Sequence, residues 1–244
     1  MRPLSPERAL EVWERCQTEG PTVRALALLA AASPEATWEE LGRLPLGERD
    51  RRLLQLREEA LGARLQGLAH CPGCGEALDV QLDGRELRAG GEGDPPAELA
   101  LAQEGFELRF RLPDSLDLLA VERCPEVEEA RRRLAERCVL EARRDGQPVA
   151  VGDFSEDELA ALAAGMVEAD PGAELLLELL CPACGEVWWE LLDVAAFFWA
   201  ELEVQARRLL REVSVLARAH GWREADVLAL SPWRRAMYLE MVGG

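Results

Sequence analysis

The strongest hydrophobic pattern in the chain lies near its C-terminus. Apolar residues recur there at alternating spacings of four and three, at Ala195, Trp199, Leu202, Ala206, Leu209, Val213 and Leu216. This heptad period predicts one long α-helix, which Gly221 ends. The stripe would suit a partner helix, but most apolar helix stripes pack within their own chain, and we favour that interpretation. Short helices are predicted over 223–230 and from Ser231-Pro232 onwards.

Helical patterns also fill residues 1–63. Ser5 is a typical N-cap, and Pro6 follows it at the first helical position. Gly20-Pro21 separates this helix from a second one over 22–32. A further helix is predicted from 46 to about 61, because its leucines recur on one face while its arginines lie on the other.

The middle of the chain mixes strand, loop and helix signals. Phe106, Leu108 and Phe110 alternate with charged residues up to Leu112, which predicts a half-buried strand. Residues 83–105 are rich in Gly and Pro and predict an exposed, mobile loop. Helices are predicted over 114–121, over 127 to about 144, and from the capping box that begins at Ser155 to residue 168.

The most specific chemical signal is a repeated C-P-x-C-G motif, at residues 71–75 and 181–185, with 106 residues between the two copies. Cys71, Cys74, Cys181 and Cys184 supply the four thiolates that a closed tetrahedral zinc site needs. Apolar residues flank each copy and predict strand, metal-binding turn and strand, the layout of a zinc ribbon. With four protein sulfurs no coordination position stays open, so the zinc is predicted to be structural.

These cysteines have other possible uses. A redox C-x-x-C motif needs one copy at a helix N-terminus, whereas here two copies each lead into a strand. Structural disulfides belong to oxidising compartments, and the sequence shows no secretory signal. An iron–sulfur cluster also uses four thiolates and stays open. Cys16, Cys124 and Cys138 are left over and are interpreted as core residues, although ligation by Cys124 or Cys138 stays an alternative.

Composition narrows the classes of partner. The apolar fraction of 48% suffices for a core, and the formal net charge is −18. An acidic chain is a poor ligand for nucleic acid or an anionic membrane, because both repel negative charge. The longest apolar run, 25–32, is too short to span a bilayer. A reducing, cytoplasmic setting is therefore expected.

No catalytic constellation is found. His70 and His220 are interpreted as a strand residue and a helix C-terminal residue, and no nucleophile-elbow or phosphate-loop motif occurs. A non-enzymatic protein is expected. The aromatic residues around the second motif form either the core between the ribbon and the following helix or an anchor for a partner protein, and both uses stay open. The candidates for partner contact are Trp188, Trp189, Trp222, Trp233 and Tyr238.

These patterns predict a mainly α fold of the α+β type, with helical bundle segments around a small split zinc ribbon. The expected division is 1–63 (N-terminal helices), 64–112 (first ribbon half, loop and strand), 113–172 (helical insertion), 173–192 (second ribbon half) and 193–244 (C-terminal helices). Because the thiolates must meet, these segments are expected to form one integrated unit. No internal repeat is evident beyond the two metal-binding turns.

The order of features resembles the baseplate protein family of large contractile-tailed phages and phage-tail-like contractile injection systems. The resemblance is carried by the two cysteine motifs and by residues 24–29 (RALALL), 110–119 (FRLPDSLDLL) and 228–240 (LALSPWRRAMYLE). It implies a non-enzymatic baseplate component or hub-assembly chaperone that binds other baseplate, hub or spike proteins. The alternative is a zinc-ribbon adaptor of nucleic acid or the transcription machinery, against which the acidic composition argues. The oligomeric state is left open.

Overall fold

The computed structural model describes residues 1–89, 96–103 and 105–243, and it confirms a mainly α fold of the α+β type, 56% helix and 19% strand. The helices are α1 (Pro6–Arg15), α2 (Pro21–Ala32), α3 (Trp38–Gly42), α4 (Leu46–Leu61), α5 (Gly84–Ala89), α6 (Ser115–Val121), α7 (Val127–Cys138), α8 (Glu156–Ala169), α9 (Val194–His220), α10 (Glu224–Leu228) and α11 (Pro232–Gly243). The strands are β1 (Arg64–His70), β2 (Ala77–Asp83), β3 (Leu99–Gln103), β4 (Phe106–Phe110), β5 (Val139–Arg144), β6 (Gln147–Pro148), β7 (Leu176–Leu180) and β8 (Val187–Leu191).

The long helix α9 is the centre of the fold. All seven residues of the predicted heptad stripe are buried, and the helix packs against α1, α2, α4, α10 and α11. Gly221 ends α9 in the left-handed conformation (φ 70°), which glycine adopts without strain. The interpretation that this stripe packs within the chain is confirmed.

The predicted helix starts at Ser5 and Ser155 are confirmed. The Ser5 hydroxyl accepts from the backbone N–H of Arg8 at 3.2 Å, and Pro6 opens α1. Ser155 and Glu158 form the predicted reciprocal capping box at the start of α8. Such caps satisfy backbone N–H groups that have no partner within the helix.

A four-stranded antiparallel sheet, in the order β3–β4–β5–β6, packs against α7 and α8. Phe106, Leu108 and Phe110 alternate with exposed residues as predicted, and their side chains are buried with Leu159 and Leu162 of α8. This sheet has a core separate from the one around α9.

Two predictions in this region are wrong. The helix predicted over 127 to about 144 ends at Cys138, because residues 139–144 form β5 and pair with the edge of β4, with Leu108 opposite Ala142. The loop predicted over 83–105 contains α5 and the strand β3, which pairs with the other edge of β4. Residues 90–95 and 104, where mobility was also predicted, lie outside the described residues.

Ion pairs and ring contacts join the N-terminal helices to α9. Arg57 of α4 donates to both carboxylate oxygens of Glu201 at 2.9 and 2.6 Å. The Arg24 guanidinium lies 4.6 Å from the ring centre of Trp199. Leu65 of β1 is buried in the same core, which therefore supports the first cysteine motif. None of the helices in the described ranges has the length and hydropathy needed to cross a bilayer.

Candidate metal centre

Each cysteine motif forms the turn of a two-stranded antiparallel hairpin, β1–β2 for the first and β7–β8 for the second. The backbone N–H of Cys71 donates to the carbonyl of Glu76 at 2.9 Å, and the N–H of Gly75 donates to the carbonyl of Cys71 at 2.8 Å. Gly75 has φ 76°, where a side chain would be strained. The turn therefore needs glycine directly after its second cysteine.

The second turn repeats this arrangement. The N–H of Cys181 donates to the carbonyl of Glu186 at 2.8 Å, the N–H of Gly185 donates to the carbonyl of Cys181 at 2.9 Å, and Gly185 has φ 78°. Two separate stretches of the chain thus build the same metal-binding turn.

The likeness extends well beyond the turns, at a constant offset of 110 positions. Gln66 pairs with Gln81 and Leu176 with Leu191, so the two hairpins share one register. Helices begin at equivalent positions before each hairpin (α4 at 46, α8 at 156) and after it (α5 at 84, α9 at 194). The carboxylates of Asp83 and Asp193 each accept a backbone N–H at the start of the second helix. The prediction of no repeat beyond the turns is therefore wrong.

The repeat brings the four predicted sulfurs together. Cys71 Sγ lies 3.5 Å from Cys184 Sγ, Cys74 Sγ lies 3.6 Å from Cys181 Sγ, and all four sulfurs lie within 4.8 Å of one another. Exchange of the two hairpins converts the first pair into the second, as a local twofold relation requires. Zn–S bonds of about 2.3 Å in a tetrahedron place sulfurs roughly 3.8 Å apart. The four cysteines therefore fit a single metal ion.

Burial follows the same symmetry. Cys71 and Cys181, the first cysteine of each motif, are buried, whereas Cys74 and Cys184 are exposed. The cluster is thus closed on the protein side and reaches the surface on the other.

Hydrogen bonding and crowding set the protonation of the cluster. The backbone of Cys184 hydrogen-bonds the sulfur of Cys181 and, against the effect of burial, lowers the pKa of that thiol to about 7. The backbone of Glu186 favours the thiolate of Cys184, but the neighbouring sulfurs of Cys74 and Cys71 outweigh it and raise the pKa of Cys184 to about 12. Four thiolates this close repel one another, so a bound cation would stabilise the arrangement.

The other three cysteines and His70 take no part in this cluster. Within the described residues, the group around this site consists of the four motif cysteines alone. Cys138 is buried 3.9 Å from Asp117 Oδ2, and burial raises the pKa of its thiol to about 12. Cys16 is buried in the α9 core, and His70 is an exposed strand residue.

The predicted strand–turn–strand layout is present around each cysteine motif, and in the described residues the strands of the two hairpins do not pair with each other. In the described residues β1–β2 and β7–β8 are separate two-stranded sheets. A cavity of about 240 Å³ lies between the hairpins. Its walls include the inner-face residues Ala69, Val80, Leu177 and Leu179, and Leu191 also contributes to its lining. The hairpins therefore meet through side chains and the sulfur cluster.

The aromatic residues predicted to contact partners lie in different environments. Trp188 is half-buried, and its Nε1 donates to Glu190 Oε2 at 3.1 Å. Trp222 and Tyr238 are half-buried and pack edge to face with ring centres 4.9 Å apart. Trp189 and Trp233 are 62% and 73% exposed.

Trp189 belongs to an exposed apolar surface that the sequence analysis did not identify. The outer face of β7–β8 carries Leu176, Leu180, Val187, Trp189 and Leu191, each 51–62% exposed. The inner face is also largely apolar, so no alternation of polar and apolar residues along the strands distinguishes the two faces. The strands of the equivalent hairpin β1–β2 do alternate, and comparison with them would have identified the outer face of β7–β8.

A family model described as "T4 bacteriophage base plate protein" matches residues 26–199, more than half of the chain and both cysteine motifs. No curated protein and no solved structure matches the chain.

Proposed function

The chain belongs to the T4 bacteriophage base plate protein family, and from this premise we propose that it helps to build the baseplate hub of a contractile particle. It acts through contacts with other baseplate, hub or spike proteins, as a component or an assembly chaperone. Its role is structural and not enzymatic. It folds in a reducing cytoplasm, where the cysteines stay available to metal.

A single zinc ion bound by Cys71, Cys74, Cys181 and Cys184 is the proposed cofactor. The sulfur separations support one ion, because a cluster with several irons spreads its thiolates over different metal atoms and so holds them farther apart. Four thiolates leave no site for a substrate, so the metal supplies a cross-link between the hairpins and no Lewis-acid chemistry.

This cross-link bears on how the whole chain folds. It would close a loop from Cys74 to Cys181, and structural zinc contributes about 10–16 kcal/mol in isolated peptides. We propose that the segments 1–63, 64–112, 113–172, 173–192 and 193–244 fold as one integrated unit for this reason.

The acidic surface supports an assembly role. A net charge of −18 steers the chain towards basic partner surfaces and away from nucleic acid. A chaperone of this charge would shield a basic or apolar hub surface from wrong association until assembly.

The observation that carries the metal proposal is the convergence of four sulfurs from two equivalent hairpins. Mass spectrometry of the purified chain should find about one zinc per chain, and visible absorption bands would instead indicate iron. Cys74→Ser should lower the metal content, whereas Cys124→Ser, outside the cluster, should not. Full metal retention in Cys74→Ser would contradict the proposed ligand set.

The assembly role needs a separate test. The tagged chain should co-purify with hub or spike proteins from cells that make the particle. Its presence in mature particles would identify a component, and its presence only in intermediates would identify a chaperone. Absence from both would overturn the role.

A further inference from the structure

We infer that the outer face of the β7–β8 hairpin is a docking surface for another protein that has an apolar centre and a basic rim. The inference rests on the proposed baseplate role in one respect, because the partner is sought among baseplate proteins. The surface, called the outer face below, consists of Leu176, Glu178, Leu180, Val187, Trp189 and Leu191.

The first hairpin is an internal control for this surface. At the equivalent positions, 110 residues earlier, its outer face carries Gln66, Leu68, His70, Ala77, Asp79 and Gln81. That hairpin has the same register, turn and sulfur geometry with a mostly polar outer face. The fold and the metal site therefore do not require an apolar outer face, and the apolar residues of the second hairpin need another explanation.

The outer faces of the two hairpins differ strongly in how much apolar side chain they expose to water. Five large apolar side chains of the outer face are each 51–62% exposed, whereas only Leu68 is a large exposed apolar residue on the equivalent face of the first hairpin. Contiguous exposed apolar patches are uncommon on monomeric proteins and mark interaction sites. Trp189 lies on this face opposite Glu178, and tryptophan is one of the residue types enriched among the residues that contribute most to binding at interfaces.

Charge indicates the kind of occupant. Residues 173–192 contain Glu174, Glu178, Glu186 and Glu190 and no arginine. Glu178 lies on the outer face itself, and Glu174 and Glu186 lie just before the two strands, at the ends of the face. A partner with arginine or lysine around an apolar centre would therefore match this surface in charge. A lipid surface does not, because anionic headgroups repel glutamate.

The same charges disfavour a second copy of the chain. A twofold contact through the outer face would oppose identical patches, with Glu178 in each. Two chains of net charge −18 would also repel each other over the whole contact. The occupant is therefore a different protein.

The outer face can be given the composition of the equivalent face of the first hairpin. Trp189→Asp and Leu191→Gln place on the second hairpin the residues that the first hairpin carries at the equivalent positions, Asp79 and Gln81. Unchanged metal content and thermal midpoint would show that the double variant is folded. A matched control variant carries the substitutions Asp79→Asn and Gln81→Asn on the outer face of the first hairpin.

The partner is captured in cells that make the particle. A photo-activated cross-linker (p-benzoyl-phenylalanine) replaces Trp189 in one full-length chain and Asp79 in another, and cross-linked peptides are identified by mass spectrometry. We expect position 189, and not position 79, to cross-link to one other baseplate protein at an apolar segment flanked by arginine or lysine. The amount of that partner that co-purifies with the Trp189→Asp, Leu191→Gln variant should be about tenfold lower than with the wild-type chain, or lower still, because the variant lacks the anchor residue.

Three results would overturn the inference: cross-links from position 189 to another copy of this chain, equal yields at positions 189 and 79, or full partner retention by the double variant. If the chain co-purifies with the baseplate and one of these results is found, the inference fails while the proposed function stands. If the chain enters no baseplate complex but position 189 still captures a different, basic-rimmed protein, the docking surface stands and the baseplate role fails. If position 189 then captures nothing, both fail.

Discussion

Arg111 holds the carboxylate of Asp117 in a two-point ion pair, with Nη1–Oδ2 and Nη2–Oδ1 distances of 2.6 and 2.9 Å. Arg137 donates to the same carboxylate at 2.8 Å, and the backbone N–H of Asp114 donates at 3.1 Å. The Asp117 side chain is fully buried. This one carboxylate therefore connects the end of β4 with α6 and α7.

Asp117→Asn should destabilise the chain strongly. The amide keeps the shape but removes the charge that Arg137 and Arg111 face, and among the described residues Arg111 then keeps only Asp114, at 3.6 Å, as a counter-charge. The loss of one partner of a buried ion pair costs about 3–5 kcal/mol, and the partial exposure of the two arginines places this site at the lower end. The free energy of unfolding from urea titration measures this. Glu40→Gln is a matched control, because Glu40 occupies the same capping-box position in α3 but is exposed. The control should cost far less than Asp117→Asn because water replaces the lost contact of an exposed carboxylate, and equal effects would contradict this account.

The same ion pair predicts a loss of stability in acid. Burial alone would raise the pKa of Asp117, but the hydrogen bonds from Arg111 and the Asp114 backbone outweigh burial and lower it to about 2, against an ordinary 3.8. The unfolded chain thus binds the proton first. A stabilisation of about 2 kcal/mol is present above roughly pH 4 and is lost as pH falls towards 2. Urea midpoints across this range should fall less steeply for Asp117→Asn than for the wild type, and parallel curves would argue against the assignment.

The local twofold relation predicts equal effects of equivalent cysteines. Cys74 and Cys184 occupy equivalent exposed positions, so Cys74→Ser and Cys184→Ser should weaken metal binding by the same factor within experimental scatter. Competition with a chromogenic chelator measures this factor. A large loss for one cysteine with none for the other would show that the two hairpins do not share one ion.

Substitution of the glycine in the second metal-binding turn should lower stability because of its backbone conformation alone. Gly185 has φ 78°, and a Cβ there would meet no atom within 4 Å. Gly185→Ala should therefore cost about 1–2 kcal/mol through left-handed strain, seen in the thermal midpoint of the metal-loaded chain. Gly152→Ala has equal space and no positive φ, so it should leave the midpoint nearly unchanged. A midpoint for Gly185→Ala that equals that of the control would refute the strain argument.

Substitutions of Arg57 and Glu201 should have non-additive effects on the free energy of unfolding. Arg57 is almost completely buried and also donates to the Gly62 carbonyl at the end of α4. Arg57→Met should cost about 3 kcal/mol because Glu201 loses its partner, and addition of Glu201→Leu should recover part of that loss. A double-mutant cycle by chemical denaturation measures the coupling. Simple additivity of the two substitutions would show that the ion pair contributes nothing.

Features with local causes were predictable from the sequence. The seven stripe residues of α9, the Ser155 cap and the strand alternation around Leu108 each follow a pattern of neighbours within a few positions. The four cysteines were predictable as a group because their chemistry restricts how they are used.

Features that depend on distant pairing were not predictable. Residues 139–144 continue a helical pattern and become β5 because β4 offers them an edge. The repeat has a sequence signal only close to the turns, where identical residues recur at the 110-position offset, such as Leu65 and Leu175 or Asp83 and Asp193. Over the flanking helices the offset is visible only in the positions at which the helices start. The outer face around Trp189 was hidden because both faces of its hairpin are largely apolar.

The equivalence of the two hairpins has a consequence for assembly. Each hairpin supplies two of the four sulfurs, so one hairpin unit by itself could complete the cluster only by pairing with a second, identical subunit. Because both units lie on one chain, the cluster needs no encounter between subunits. The two units also need not be identical, and their exteriors differ: one is mostly polar, and the other carries leucines and a tryptophan.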